Sequence, residues 1–152
     1  MKTKSFLAIA LLAAFSIASC GTRDKSVTEK LVGVWTGIDT IQIATLDTLG
    51  NISVETIAVP VAIECFADTT LRGKVAYNDS TTAELTAVVM VGEPYISYSG
   101  IMSINDNQQH LNGELVYNYN ETPESLTMEF FSQNPVTGEA HKGKTTLTKK
   151  TK

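Results

Sequence analysis

Histidine and cysteine each occur twice in these 152 residues, and tryptophan once. Two cysteines exclude a cysteine-rich metal centre and allow one disulfide at most. The two histidines, His110 and His141, sit in polar settings (NQQHLNG and GEAHKGK) without His-x-His or His-Glu-x-x-His spacing. A metal site needs converging ligands with a second shell, so both read as solvated turn residues and no metal is expected. Basic residues are scarce through the body of the chain. Between Leu31 and His141 only Arg72 and Lys74 are basic, against fourteen carboxylates. An acidic body of this kind does not attract nucleic acid. There is no Gly-x-Ser-x-Gly elbow, phosphate loop or dinucleotide fingerprint. Carboxylates fall singly on polar faces, whereas acid–base work needs two in one pocket. The expectation is a protein that is not an enzyme and needs no cofactor.

Long apolar runs are missing too. The longest, Phe6–Phe15, falls short of the about 20 residues that cross a bilayer. It follows Lys2 and Lys4 and reads as an export signal, outside fold reasoning. The residues after it, Ile17-Ala18-Ser19-Cys20, resemble the lipobox of bacterial lipoproteins. That resemblance implies cleavage before Cys20 and acylation of its thiol. It leaves a signal peptide at 1–19, an acylated Cys and short tether at 20–30, and a domain at 31–150. Acyl chains hold through buried methylenes, so the mature protein would be tethered to a membrane rather than span it. Gly21 follows the cysteine where Asp would favour inner-membrane retention. The expected address is therefore the outer membrane of a Gram-negative bacterium, with the side it faces left open. With Cys20 acylated, Cys65 has no partner in the chain. It lies in the apolar run VAIECF as a buried, inert thiol. The five lysines from Lys142 onward solubilise a final strand or meet anionic headgroups.

What the chain has in quantity is strand material. Ser26-Val27-Thr28-Glu29 has capping-box spacing and predicts one helical turn before Leu31. After it, β-branched and aromatic residues alternate with polar ones between regularly spaced turn residues, an all-β pattern. Leu85, Ala87, Val89 and Val91 share one face; so do Ile96, Tyr98, Met102 and Ile104, and likewise Leu126, Met128 and Phe130. Sheets with one apolar face have a single interior. Near Pro60 the apolar parity changes, from Ile52 and Val54 to Ile57, Val59, Val61 and Ile63. A bulge or bend is expected there, with the strand breaking or reaching an edge because Pro60 has no N–H to donate.

One phrase is written twice: LRGKVAYN at Leu71–Asn78 and LNGELVYN at Leu111–Asn118. Each copy follows an apolar strand and a polar turn and precedes another strand. Two such units make six consecutive antiparallel strands. Gly73, Gly113 and Gly100 fall on the inward face, where a strongly curved sheet is crowded. A curved meander of this kind closes on itself and loses its edges.

Leu31-Val32-Gly33-Val34-Trp35 places Gly-x-Trp on the first strand, just after the helical turn. This resembles the opening of lipocalin-like (calycin-type) barrels, whose Trp plugs the closed end. The resemblance implies an antiparallel up-and-down meander closing into an approximately eight-stranded lipocalin-like barrel, as in small lipocalin-like bacterial lipoproteins. Those barrels often stack an Arg of the last strand on the Trp. Here the last strand, KGKTTLTKK, offers only lysines.

Trp35, Tyr77, Tyr98, Tyr117 and Phe130 are the candidate ligand-lining residues. An eight-stranded barrel holds packed side chains or one small ligand, and these aromatics fit either role. The expected function is envelope binding of a small apolar or amphipathic ligand. The alternative is an interaction or inhibitor module that contacts another envelope protein, with exposed Val116 and Phe131 as its patch. Four Asp residues precede Ser or Thr, giving Thr40, Thr48, Thr69 and Ser80 as O-glycosylation candidates by resemblance to a motif of exported bacterial proteins. Asp and Thr also favour turns, and all four pairs fall at predicted turns.

Overall fold

Each alternating segment is a strand in the computed structural model, which describes residues 26–92 and 95–151. The signal segment and Cys20 lie outside the described residues. A five-residue helix, α1 (Val27–Leu31), precedes eight strands: β1 (Gly33–Leu46), β2 (Ile52–Cys65), β3 (Thr70–Ala76), β4 (Thr82–Val91), β5 (Ile96–Ile104), β6 (Asn107–Asn118), β7 (Ser125–Gln133) and β8 (Ala140–Lys149). Every strand is antiparallel to the next, and β8 returns to pair with β1. The sheet is a closed eight-stranded meander barrel. The doubled phrase occupies β3 and β6, the middle strands of the repeats β2–β3–β4 and β5–β6–β7. At the tight β5–β6 hairpin Asn105 and Asp106 both take positive φ (47° and 66°), which matches the twist of the flanking strands.

The inside is mostly apolar and the outside is mixed. Ile41, Val59, Ile63, Leu71, Leu85, Met102, Leu111, Met128 and Leu147 are among the buried core. Around the outer waist, Lys74 pairs with Glu84 across β3–β4, and Lys144 with Glu129 across β7–β8. Such exposed pairs contribute little to stability. They place charge on an outer wall that also exposes apolar side chains such as Val88, Ile101 and Val116.

The expected bulge near Pro60 is absent. The β1–β2 register is constant from Gly33↔Cys65 to Leu46↔Ile52. Ile52 and Val54 are simply outward-facing and exposed on a hairpin that extends beyond the barrel wall. The expected edge is there, and the hydrogen-bond alternation explains it. Asp47 N–H donates to Asn51 O, and Phe66 N–H to Thr70 O. By alternation along an antiparallel ladder, even-numbered residues of β2 therefore point their N–H and C=O toward β3. The β2–β3 ladder runs from Cys65↔Leu71 to Val61↔Val75. The next partner of Ala76 would be Pro60, which has no N–H. Pairing stops there, and residues 52–60 have no ladder partner on that side.

The inward glycines make room for neighbours across the sheet. A Cβ on Gly73 would lie 2.8 Å from Ile63 Cγ2 and 2.9 Å from Ala62 O. One on Gly113 would collide with Glu129 O and with the Tyr98 phenol. Gly100 likewise leaves space only for Ala87. Replacing Gly73 or Gly113 with Val should therefore lower stability by about 1–3 kcal/mol, more at Gly113, where the backbone oxygen lies much closer than at Gly73. Thermal melts of the two variants check this. Melting like the parent would place these positions outside the packed interior.

Candidate functional site

One end of the barrel is closed by α1. Its start is fixed by a capping box: Ser26 Oγ accepts from Glu29 N–H at 3.3 Å, and Glu29 Oε2 from Ser26 N–H at 2.9 Å. Its end is fixed by the barrel. Trp35 Nε1–H donates to Leu31 O at 2.8 Å, and Lys149 Nζ donates to Lys30 O at 2.9 Å. Both satisfy carbonyls that a helix end leaves unpaired. The Lys149 ammonium also stands 5.1 Å from the centroid of the Trp35 ring, and Tyr117 meets that ring edge-on at 6.1 Å. So a lysine of the last strand does cover the Trp, as a cation over its face. Gly33, at φ +133°, is what lets the lysine stem pass: a Cβ there would lie 3.0 Å from Lys149 Cε.

Beside α1 opens a groove of about 620 Å³. Its walls are Val27 of α1, Val91 and Ile96 at the ends of β4 and β5, Leu115, Val116 and Tyr117 of β6, with Tyr95 and Tyr119 at the margin. Lys30 and Glu114 bring one charge of each sign to an otherwise apolar surface. The Tyr117 phenol is pushed up to about 12, first by burial and then by hydrogen bonding to Glu124, so it stays a neutral hydroxyl. The groove can hold an apolar body with one polar end. On the other side of the α1 junction a second cavity, of about 480 Å³, is lined by Val32, Cys65, Phe66 and Lys149 among others. Cys65 itself is buried, and burial pushes its thiol up to about 11, which suits an inert core residue.

The opposite end is closed by polar side chains. Tyr77 O–H bonds His141 Nδ1 at 2.6 Å, and His141 Nε2 bonds Glu139 Oε1 at 2.7 Å. One neutral tautomer satisfies both bonds, with Nε2–H donating to the carboxylate and Nδ1 accepting from the phenol. Gln109 donates to Glu139 at 3.4 Å and accepts from Ser132 Oγ at 2.8 Å. The arrangement is a carboxylate–imidazole–phenol relay, but burial, then the charges of Glu139 and Asp39, push the Tyr77 phenol upward. As a protonated hydroxyl bonded to His141, it helps close this end of the barrel. The two histidines thus differ from the sequence expectation. His110 is exposed but lies on β6 rather than in a turn, and His141 is a buried residue of β8.

Asp39 is the residue that sequence reasoning missed. It is 1% exposed, and neither carboxylate oxygen has a hydrogen-bond partner. It lies over Gly143, against the Phe130 ring. Burial raises its pKa, while the nearby amides of Thr40 and Lys144 offset this in part. The pattern contained the signal: Asp39 shares odd parity with Trp35 and Ile41, and so faces inward. The Asp-Thr pair at 39–40 is accordingly mid-strand rather than at a turn, with Thr40 exposed on the outer face. The other three pairs are at turns. Asp47 accepts from Leu49 and Asn51 N–H, and Asp68 from Thr70 N–H, as turn-forming Asp side chains do. Thr48 and Ser80 are exposed, and Thr69 is half-buried at φ 67°.

Of the five aromatic candidates, only Tyr117 borders the groove. Trp35 plugs the α1 end, Tyr98 donates to Glu129 O at 2.8 Å from within the core, and Phe130 packs beneath Gly143. Tyr77 belongs to the polar end. The groove lies at the barrel's end, beside α1. No family model, curated protein or solved structure matches this chain.

The buried carboxyl has a pH consequence. Burial makes its pKa higher folded than unfolded, so the native state holds its proton at pH values where the unfolded chain has lost it, a window that begins at the ordinary carboxylate range. Stability then falls as pH rises through that window. Asp39→Asn should melt higher than the parent at neutral pH, and the gap should close as pH drops below about 4. Melting curves across that range check it; a gap independent of pH would mean that Asp39 is ordinarily ionised.

Proposed function

We propose that the protein is a lipid-anchored lipoprotein of the Gram-negative cell envelope, in the outer membrane, whose end groove holds a small apolar or amphipathic ligand. The observation that carries this reading is the groove itself. At about 620 Å³ it falls within the range of small-molecule sites, with apolar walls and few polar groups. Its first wall is α1, which begins seven residues after Cys20. Seven residues span about 25 Å at most, so acylation at Cys20 would hold the mouth close to a bilayer surface. The charged outer waist supports a barrel that is tethered beside a membrane rather than inserted in it.

The second reading, a module that contacts another envelope protein, draws on exposed apolar side chains. Val116 and Phe131 are both exposed on the outer wall, but Val116 already belongs to the groove.

Two experiments test the first reading. Cys20→Ser should move the protein out of the membrane fraction or leave it as an unprocessed precursor; unchanged fractionation would remove the anchor from the proposal. Native mass spectrometry of the protein purified from its host should show a bound small molecule. Val116→Asp, at a half-exposed groove position, should lose that mass without lowering the melting temperature. A parent protein that carries nothing and binds no fluorescent fatty-acid probe would leave the groove without its proposed role.

A further inference from the structure

We infer that the free edge of β2 is the pairing surface for a second copy of this chain, forming a two-fold antiparallel strand pair centred on Thr56. The overhang left by Pro60 exposes backbone, not only side chains. The alternation fixed by the Asp47–Asn51 and Phe66–Thr70 bonds points the N–H groups of Ile52, Val54, Thr56 and Ala58 away from β1. With residues 52–60 outside the β2–β3 ladder, those donors and their carbonyls form an unpaired row that another strand can complete.

The row is self-complementary in one register. With Thr56 opposite Thr56 of the partner copy, Val54 meets Ala58 and Ile52 meets Pro60. All four free N–H groups of each copy then find a carbonyl, Pro60 supplying an acceptor where it has no donor to waste. Shifting the centre to position 55 would set the two Glu55 carboxylates directly opposite each other, a destabilising like-charge pair. Centred on Thr56, each Glu55 faces Ile57 instead. The outer face of the same hairpin carries no charge from Ile38 to Leu46 or from Ile52 to Pro60. Ile38, Leu46, Ile52 and Val54 are each more than half exposed on it. Edge strands that stay single are protected by lysines, bulges or a covering loop. Here the protective residues within 52–60 are Pro60, at one end, where the register uses it, and Glu55, on the other face, which the register sets against Ile57. Mutual pairing satisfies backbone, apolar matches and charge together.

The test uses the full chain in mild detergent. Native mass spectrometry should give the mass of two chains for the parent. Val54→Lys puts a charge on the edge, and Thr56→Pro removes a donor that the fold itself does not use; both should give single-chain mass with unchanged circular dichroism. Gln42→Lys, on the same outer face but on β1, should remain a dimer. Should Thr56→Pro fail to fold, Val54→Lys and a cross-link decide the matter. In a Cys20→Ser background, Thr56→Cys should be linked to its own kind by a short bis-maleimide, whereas Cys20→Ser alone should not, since its remaining thiol, Cys65, is buried. A single-chain mass for the parent overturns the inference. So does a dimer that survives Val54→Lys, or a cross-linked product whose added mass is another protein.

Discussion

The pairing of β8 with β1 is the contact on which the rest depends. Once the first and last strands share hydrogen bonds, the sheet encloses a fixed interior, and every inward side chain must fit that space. The glycines follow from this constraint. Gly113 receives the Tyr98 ring, Gly143 receives Asp39 and Phe130, and Gly73 receives Ile63. Large residues sit opposite missing ones, which is how a narrow barrel fills without strain. Closure also explains why the aromatic candidates are mostly core. Their rings fill volume that the glycines leave.

The two ends solve the same problem in different chemistry. At the α1 end the plug is an indole under an ammonium, with a helix terminus satisfied by both. At the other, hydroxyl, imidazole, amide and carboxylate satisfy one another. Asp39, between them, is the polar side chain left without a partner, and its charge reaches both Tyr77 and Tyr98. Polar groups removed from water need partners, and the neutral acid is the form that this interior tolerates best.

Much of the fold was legible because strand periodicity is a strong signal when one face is buried. The doubled phrase marked the middle strands of two repeats, and Ser26 with Glu29 marked the helix start. The errors have local causes. Ile52 and Val54 were read as a change of face because apolar residues were assumed to point inward; on an overhanging hairpin that assumption fails. His141 was placed in a turn by its polar neighbours, although its parity with Thr145 and Leu147 puts it inside. The Trp–cation contact was left open for want of an Arg, and Lys149 fills the role because Gly33 gives it passage. The groove was not legible at all. It arises where α1 meets strand ends that are far apart in sequence, and no spacing along the chain encodes it.

Both chain ends of the barrel domain lie on the α1 side, and this has a mechanical consequence. A pull on the N-terminal segment first meets the two bonds from Trp35 and Lys149 to the carbonyls of α1. Beyond them the load enters β1 at Gly33 and runs along the strand's own axis. β1 is bonded on both sides, to β2 over fourteen residue pairs and to β8 at Trp35 and Thr36 and again from Thr40 to Ala44. Such a force shears many hydrogen bonds in parallel instead of unzipping them one at a time. The strand nearest the point of attachment is therefore the one best placed to resist traction, and the short helix in front of it is the part that yields first.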